Sequence, residues 1–457
     1  MKQYDVIVIG SGCGMNIVEE ALAHELKVAL VDKGPLGGTC PNNGCIPSKI
    51  LIYTADRIVD IQEDVKFGIR AELKSVDFSA VMDRMRENLR ANREQMRKSI
   101  TAVEQLDFYE SEGRFTDEYT VEVGGEQIKA EKIFIAAGSR PSVPPIKGLD
   151  SVPYLTNVTV LDFTERPESL LIIGGGYIAV EYGHFFAAMG TRVTIIEMAD
   201  RLVLPEEPEI SALLKSELSK RMSVNTGVRA VEVKKTAGGV TVVVNDLNSG
   251  AKKEFTGQKL LVAVGRVSNA DSLNLEKTGV GIDRRKFIEV NEFLETSRKN
   301  IYAVGDILGR MMFTHVANME SSIAGHNGIH GNSVKMDYNA APYAVYSHPQ
   351  IASVGVTEAA ARAAGRKILV GRAKYADVAQ GEAMLEKDNF AKAIVDAKTE
   401  KIIGFHIIGP FAPLIIQEVI TNMVSGGKLG HIEQAMHIHP AIPELILKTL
   451  SNLEETT

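Results

Sequence analysis

In the stretch GGTCPNNGCIPSK, Cys40 and Cys45 are separated by four residues, Pro41 to Gly44. The glycines and prolines around them make a loop, and Pro47, Ser48 and Lys49 open a helical run. Cys45 therefore falls near a helix N-terminus, where the dipole favours a thiolate. Two thiols so placed can close a small redox-active ring. One would exchange electron density with an electron-poor ring system, and Cys40, expected to be the more exposed on the loop side, would exchange with a substrate sulfur. The bland alternative is a pair of buried cysteines acting as small hydrophobes, but the loop composition speaks against it. No second cysteine pair completes a tetrahedral set, so no metal site is expected. Cys13, inside a glycine turn, reads as a small residue that fits under a pyrophosphate.

At the far end, MHIHPAIPE offers His439 before Pro440, with Glu444 five residues on. A carboxylate can orient an imidazole and raise its basicity, which suits a base serving a thiol. His437 reads as structural.

Elements able to position these groups occur twice. YDVIVIG ends in Gly10, Gly12 and Gly14, followed by a helical stretch and KVALVD with Asp32. LLIIGGGYIAVEYG carries Gly174, Gly176 and Ala179, then a helix to Met189 and RVTIIE with Glu197. Strand, glycine turn, helix, strand and acid in that order form a dinucleotide-binding unit: glycines bring backbone close to pyrophosphate, and the acid accepts from ribose. Met15 stands where a third glycine normally eases the first helix against its strand. KIFIAAGSRP and NIYAVGD look like strands whose tips meet a cofactor, and from about Ala341 the texture becomes that of an antiparallel third domain.

A chain of 457 residues, 45% hydrophobic and 24% charged with 40 glycines, is expected to form a multidomain α/β enzyme. The net charge of −7 gives no footprint for nucleic acid. The basic stretch from Arg84 to Lys98 sits beside Phe78, Val81, Met85, Leu89, Met96 and Ile100 at helical spacing, and reads as the solvated face of a long helix. No signal core, membrane-length apolar run or lipidation box is seen, so no membrane association and a cytoplasmic location are expected. With three cysteines, a disulfide is more plausibly catalytic than structural.

Taken together these motifs resemble the pyridine nucleotide–disulfide oxidoreductase family over essentially the whole length. The resemblance implies two Rossmann-like domains, for FAD and NAD, plus a C-terminal α+β dimerisation domain. The FAD domain would span 1–148 and 270–337, the NAD domain 149–269, and the interface domain 338–457. Cys45 would be the thiol next to flavin and Cys40 the interchange thiol. Lys49 and Glu181 would pair near the flavin, and Tyr177 would gate the nicotinamide pocket. FAD contacts are implied at Gly113, Gly138, Asp306 and Ala317, and NAD contacts at Glu197 and Gly265. His439 and Glu444 match the family's base and its partner, supplied by the opposite subunit of a homodimer.

Glu197 would repel a 2′-phosphate and so favours NAD(H) over NADP(H), although Arg201 is near. Within the family this directs the reading to the dihydrolipoamide dehydrogenase branch, acting on a small dithiol or the lipoyl group of a partner protein. A low-molecular-weight disulfide reductase of the mycothione or glutathione type is the alternative, supported by GSGCGMN, GRVSNAD and YADVAQGEAM. A flavin-binding redox sensor without catalysis would not need the cysteines, His439 and Glu444 together.

Overall fold

An apolar run without a polar face must be covered on both sides, and in the strand Lys2–Ile9 Val6, Ile7 and Val8 are fully buried. In the computed structural model, which describes residues 1–455, this strand lies parallel between Val28–Val31 and Glu126–Ile135, with Leu106–Tyr109 beyond Val28–Val31. On its other edge the strand Glu126–Ile135 serves two further neighbours: its first half pairs antiparallel with Thr120–Val123, and its last three residues pair parallel with Ile301–Ala303. The helices Gly14–Ala23 and Thr314–His330 belong to the same compact unit, formed by Met1–Ile50, Ala80–Ser142 and Gly265–Met336.

A close approach at the first turn rests on glycine. At Gly10, where φ is +107°, a Cβ would meet the Ala136 carbonyl oxygen at 2.2 Å. At Gly14 it would lie 2.8 Å from Val8 Cγ1 and 3.2 Å from Ala136 Cβ. Gly14 thus provides the helix–strand contact expected of a glycine at position 15, and Met15 packs half-buried at the core's edge.

The second unit comprises Leu51–Ser79, Val143–Val264 and the chain from Asp337 onward. Its parallel sheet runs Ser223–Asn225, Arg192–Ile196, Ser169–Ile173, Lys259–Val262. A separate antiparallel sheet joins Val228–Thr236, Gly239–Asp246 and Lys252–Gly257. The C-terminal part is a six-stranded antiparallel sheet, as its sequence texture suggests. Helices Ala412–Val424 and Glu444–Ser451 bury Ile415, Ile416, Val419, Leu445, Ile446 and Leu450 in that core. The helix Phe78–Thr101 buries Phe78, Met82, Met85, Leu89 and Ile100, and its basic residues face outward as expected. Among the described residues no helix is long and apolar enough to cross a membrane.

One polar cluster lies inside the second unit. Lys392, in the strand Phe390–Asp396, is 1% exposed, yet its ammonium stands 2.8 Å from Glu207, 2.9 Å from Glu209 and 2.8 Å from Glu358. Arg372 bridges Glu209 and Glu358 at 3.0 and 3.2 Å. Burial alone would lower the Lys392 pKa, but hydrogen bonds to the three carboxylates outweigh it and hold the pKa above its usual value.

Candidate active site

The cysteine loop is fastened to the first glycine turn. The amide of Gly37 donates to Ser11 Oγ at 2.8 Å, and the Ser11 hydroxyl donates to Asp32. Gly38 has φ +68°, and a Cβ there would come 2.8 Å from Gly12 Cα. Buried Asn42 draws the loop together, donating to the carbonyls of Leu36 at 2.8 Å and Gly38 at 2.7 Å while accepting from Arg93. Sequence reading passed over Asn42; its signal, a small amide inside a glycine-rich loop, is weak.

Cys40 lies on a one-turn helix, Thr39–Asn43, and Cys45 begins the helix Cys45–Glu63. This corrects the expectation that Cys40 is the more exposed thiol: Cys45 is exposed and Cys40 half-buried. Both are thiols in this structure. The adjacent Cys45 sulfur and then burial push the Cys40 thiol well above the usual range. Cys45 Sγ lies 3.3 Å from Thr314 Oγ1, a contact within the first unit that sequence reading missed. Cys13 is half-buried, and desolvation of its sulfur pushes the thiol up to about 12, which keeps it neutral.

The turn fits a dinucleotide. Helix Gly14–Ala23 starts without a side-chain cap, and the positive end of its dipole lies at the glycine turn, where it favours a phosphate. Asp32 accepts from the amides of Ser11 at 2.6 Å and Gly34 at 2.7 Å as well as from the Ser11 hydroxyl. A carboxylate has about four acceptor sites, so roughly one is left for a ribose hydroxyl. Asp306 accepts from the Ser139 hydroxyl at 2.6 Å and lies 3.5 Å from the Arg266 guanidinium. Gly138, φ +65°, leaves open space where a side chain would project, and Ala317 is buried in helix Thr314–His330. Gly113 has a packing role: a Cβ would meet Val31 Cγ1 at 2.8 Å.

The second turn is built alike. Gly174 has φ +118° and helix Tyr177–Ala188 begins at uncapped Gly176 with Ala179 fully buried. Glu197 accepts from the Ala199 amide at 2.6 Å, and its stem lies so close to Gly175 that a Cβ there would meet Glu197 Cγ at 2.7 Å. Arg201 donates to the Leu204 carbonyl at 3.1 Å. Tyr177 is half-buried; Glu181 is buried and accepts from the Tyr346 amide at 3.0 Å. Lys49, in the first unit, lies 3.3 Å from Ser48 Oγ, and Gly265, also there, has φ +111°.

His439 and His437 differ sharply. His437 engages Glu418 at 2.8 Å and the Ala435 carbonyl at 3.0 Å, one with each ring nitrogen. His439 is 70% exposed and uses Nδ1 on Glu444 at 2.9 Å. The Ala441 amide, at 2.9 Å, and then His439 hold the Glu444 carboxyl below its usual range. A carboxylate on Nδ1 leaves Nε2 as the basic nitrogen. Near His439 in the chain, Met436 and Ile438 are strongly exposed apolar side chains.

Two family descriptions match the chain: "Pyridine nucleotide-disulphide oxidoreductase" over residues 4–321, and its dimerisation domain over 341–449. The mycothione reductase of Mycobacterium tuberculosis is 33% identical over 99% of this chain and 100% of its own. The dihydrolipoyl dehydrogenase of Bacillus subtilis is 32% identical over 97% and 96%. Among solved structures, the HOCl-induced flavoprotein disulfide reductase RclA of Escherichia coli, in a Cu(II) complex, superposes with TM-score 0.86 at 27% identity, covering 99% of both chains.

Proposed function

This chain belongs to the pyridine nucleotide-disulphide oxidoreductase family, an FAD-dependent enzyme class using NAD(P)H, and from that premise we propose that it is an NAD(H)-linked enzyme whose Cys40 and Cys45 exchange electrons with a dihydrolipoyl dithiol. Bound FAD supplies a ring that passes an electron pair between NAD(H) and the cysteine pair. We assign FAD to 1–148 and 270–337, NAD to 149–269 and the homodimer interface to 338–457, with the cytoplasm as place of action.

In the oxidative direction a substrate thiolate, its proton taken by His439, attacks Cys40 of the closed Cys40–Cys45 disulfide, and Cys45 leaves as thiolate. The second substrate thiolate then attacks the mixed disulfide, closing the substrate ring and releasing Cys40. Glu444 steadies the imidazolium, and Tyr177 covers the nicotinamide pocket. The single observation carrying this reading is the placing of Cys40 and Cys45 on successive helical turns of a loop fastened to the glycine turn. We assign Cys45, which begins the helix Cys45–Glu63, as the thiolate of the reduced pair. Replacing Cys45 by serine should therefore remove the long-wavelength absorbance that a thiolate against flavin gives, with FAD retained. Loss of that band in Cys40→Ser but not Cys45→Ser would reverse the two roles.

The position of Glu197 at the second turn, with Arg201 engaged by Leu204, supports NAD(H). A 2′-phosphate facing that carboxylate costs on the order of 1–3 kcal/mol, about ten- to a hundredfold in affinity. Higher catalytic efficiency with NADPH than NADH would overturn this preference. The full-length likeness to mycothione reductase supports a second reading, a reductase of low-molecular-weight disulfides. Steady-state rates on lipoamide, mycothiol disulfide and glutathione disulfide, each with NADH and NADPH, separate the two. Fastest turnover of dihydrolipoamide with NAD⁺ supports the first reading; a reductase profile restricted to a small disulfide overturns it.

A further inference from the structure

Apart from the redox centre, the first unit gathers imidazoles around one carboxylate. Glu20 lies on helix Gly14–Ala23, and His24 follows one turn later at its end. His326 and His330 lie one turn apart at the end of helix Thr314–His330. The two helices approach closely here: a Cβ at Gly325 would touch Glu20 Cβ and Cγ at 3.7 Å.

One ligand atom each from Glu20, His326 and His330 lies within 4.8 Å of the others. The pair Glu20 Oε1 and His330 Nε2 stands at 3.3 Å. Ligands held tetrahedrally at about 2.0–2.1 Å from an ion are roughly 3.3–3.4 Å apart. One edge of such a site is therefore at its closed length, and closing the third corner takes only rotation of partly exposed side chains. His24 rests edge-on against His330, with ring centres 4.6 Å apart, and its Nδ1 is 3.9 Å from Glu20 Oε1. His326 and His330 have ring centres 4.9 Å apart.

A helix–helix contact of satisfied histidines is the plainer reading. His326 does reach Ser333 Oγ at 3.1 Å, and His24 the Glu20 carbonyl at 2.9 Å. Yet two histidines at i and i+4 facing a carboxylate on a second helix make a ligand set of nitrogen and oxygen. That set suits borderline divalent ions and suits Mg²⁺ or Ca²⁺ poorly, since those take oxygen ligands.

We propose that Glu20, His326 and His330, flanked by His24, bind one borderline transition-metal ion such as Zn²⁺ or Cu²⁺, joining the two helices of the first unit. The sequence offered no hint of it, since the ligands are some 300 residues apart. The site is also remote from Cys45. Thr314, which touches Cys45, is 16 residues before His330 on a continuous helix, about 24 Å at 1.5 Å per residue.

The test uses tag-free, FAD-loaded enzyme, metal-depleted, with Cys40 and Cys45 closed as a disulfide so that thiols do not compete. Titration with Zn²⁺ should show one saturable site per chain. Its affinity should fall more than about tenfold in His326→Ala and in His330→Ala. Glu20→Gln keeps the side-chain shape, removes the anion and should also weaken binding. FAD content and NADH-dependent turnover should stay as in the wild type. Cu²⁺ bound at one equivalent should show nitrogen hyperfine structure in its electron paramagnetic resonance spectrum, reduced when either histidine is removed. No saturable site below about 1 mM Zn²⁺, or one that survives in the His326→Ala, His330→Ala double variant, overturns the proposal.

Discussion

Replacing His439 by glutamine should lower disulfide turnover by about 10²–10⁴-fold while reduction of the enzyme by NADH proceeds at its wild-type rate. The expectation follows from what the imidazole touches. Its Nδ1 is held by Glu444 at 2.9 Å and the ring is largely exposed, so it is oriented and accessible but contributes little to packing. Glutamine fills similar space and cannot take a proton. Glu444→Gln should cost less, because the ring keeps a hydrogen-bond partner but loses the charge that steadies the imidazolium. Rapid mixing with NADH separates the half-reactions: an equal loss in both would mean that His439 acts through structure. The homodimer assignment adds a further outcome. Inactive Cys40→Ser and inactive His439→Gln subunits, exchanged into verified mixed dimers, should regain activity if the base serves the other chain's cysteines. A lack of recovery would refute the shared site.

Lys392→Met should be the most destabilising single change outside the active site, by about 3–5 kcal/mol. Lys392 is buried among Glu207, Glu209 and Glu358, and removing its charge takes a cation from all three, leaving Arg372 beside Glu209 and Arg372 with Arg362 beside Glu358. Adding Glu207→Gln should restore part of the loss, since the two groups couple directly at 2.8 Å. The urea midpoint of the FAD-loaded enzyme at fixed concentration reads both effects; a change equivalent to less than about 1 kcal/mol would show that the cluster is dispensable. The same cluster sets an acid limit. Burial opposes ionisation of Glu358, but hydrogen bonds from Lys392 and Arg362 win and bring its pKa to about 2 from 4.5, and Glu209 is lowered likewise. Groups with depressed folded-state pKa values contribute stability that is complete above the unfolded value and lost as pH falls through the folded one. The contribution of Glu358 should therefore hold above about pH 4.5 and disappear toward pH 2.

Local pattern carried much of this fold. The runs at Val6–Ile9 and Leu170–Ile173, each ending in a positive-φ glycine, form parallel strands followed by helices because only that arrangement covers both faces of an all-apolar strand. Pairing of His439 with Glu444 was legible because five residues of chain separate them. Features set by distant contacts were not. Gly14 rather than position 15 meets the strand, which depends on where Val8 and Ala136 lie. Cys40 is the less exposed thiol, and it sits on a single turn of helix in TCPNN, a segment too short for any periodicity to announce it. Lys392 looks like an outward residue in FAKAIVD, yet Ala391 to Val395 are all buried, and its partners come from positions 207, 209 and 358.

The central claim is that electrons from NADH reach Cys40 and Cys45. Oxidised, FAD-loaded enzyme should be mixed anaerobically with NADH, quenched with a thiol-alkylating reagent and mapped by mass spectrometry. The account predicts alkylation of Cys40 and Cys45 together, dependent on NADH, with Cys13 unchanged. A Cys40–Cys45 pair that stays closed while NADH is consumed would contradict it.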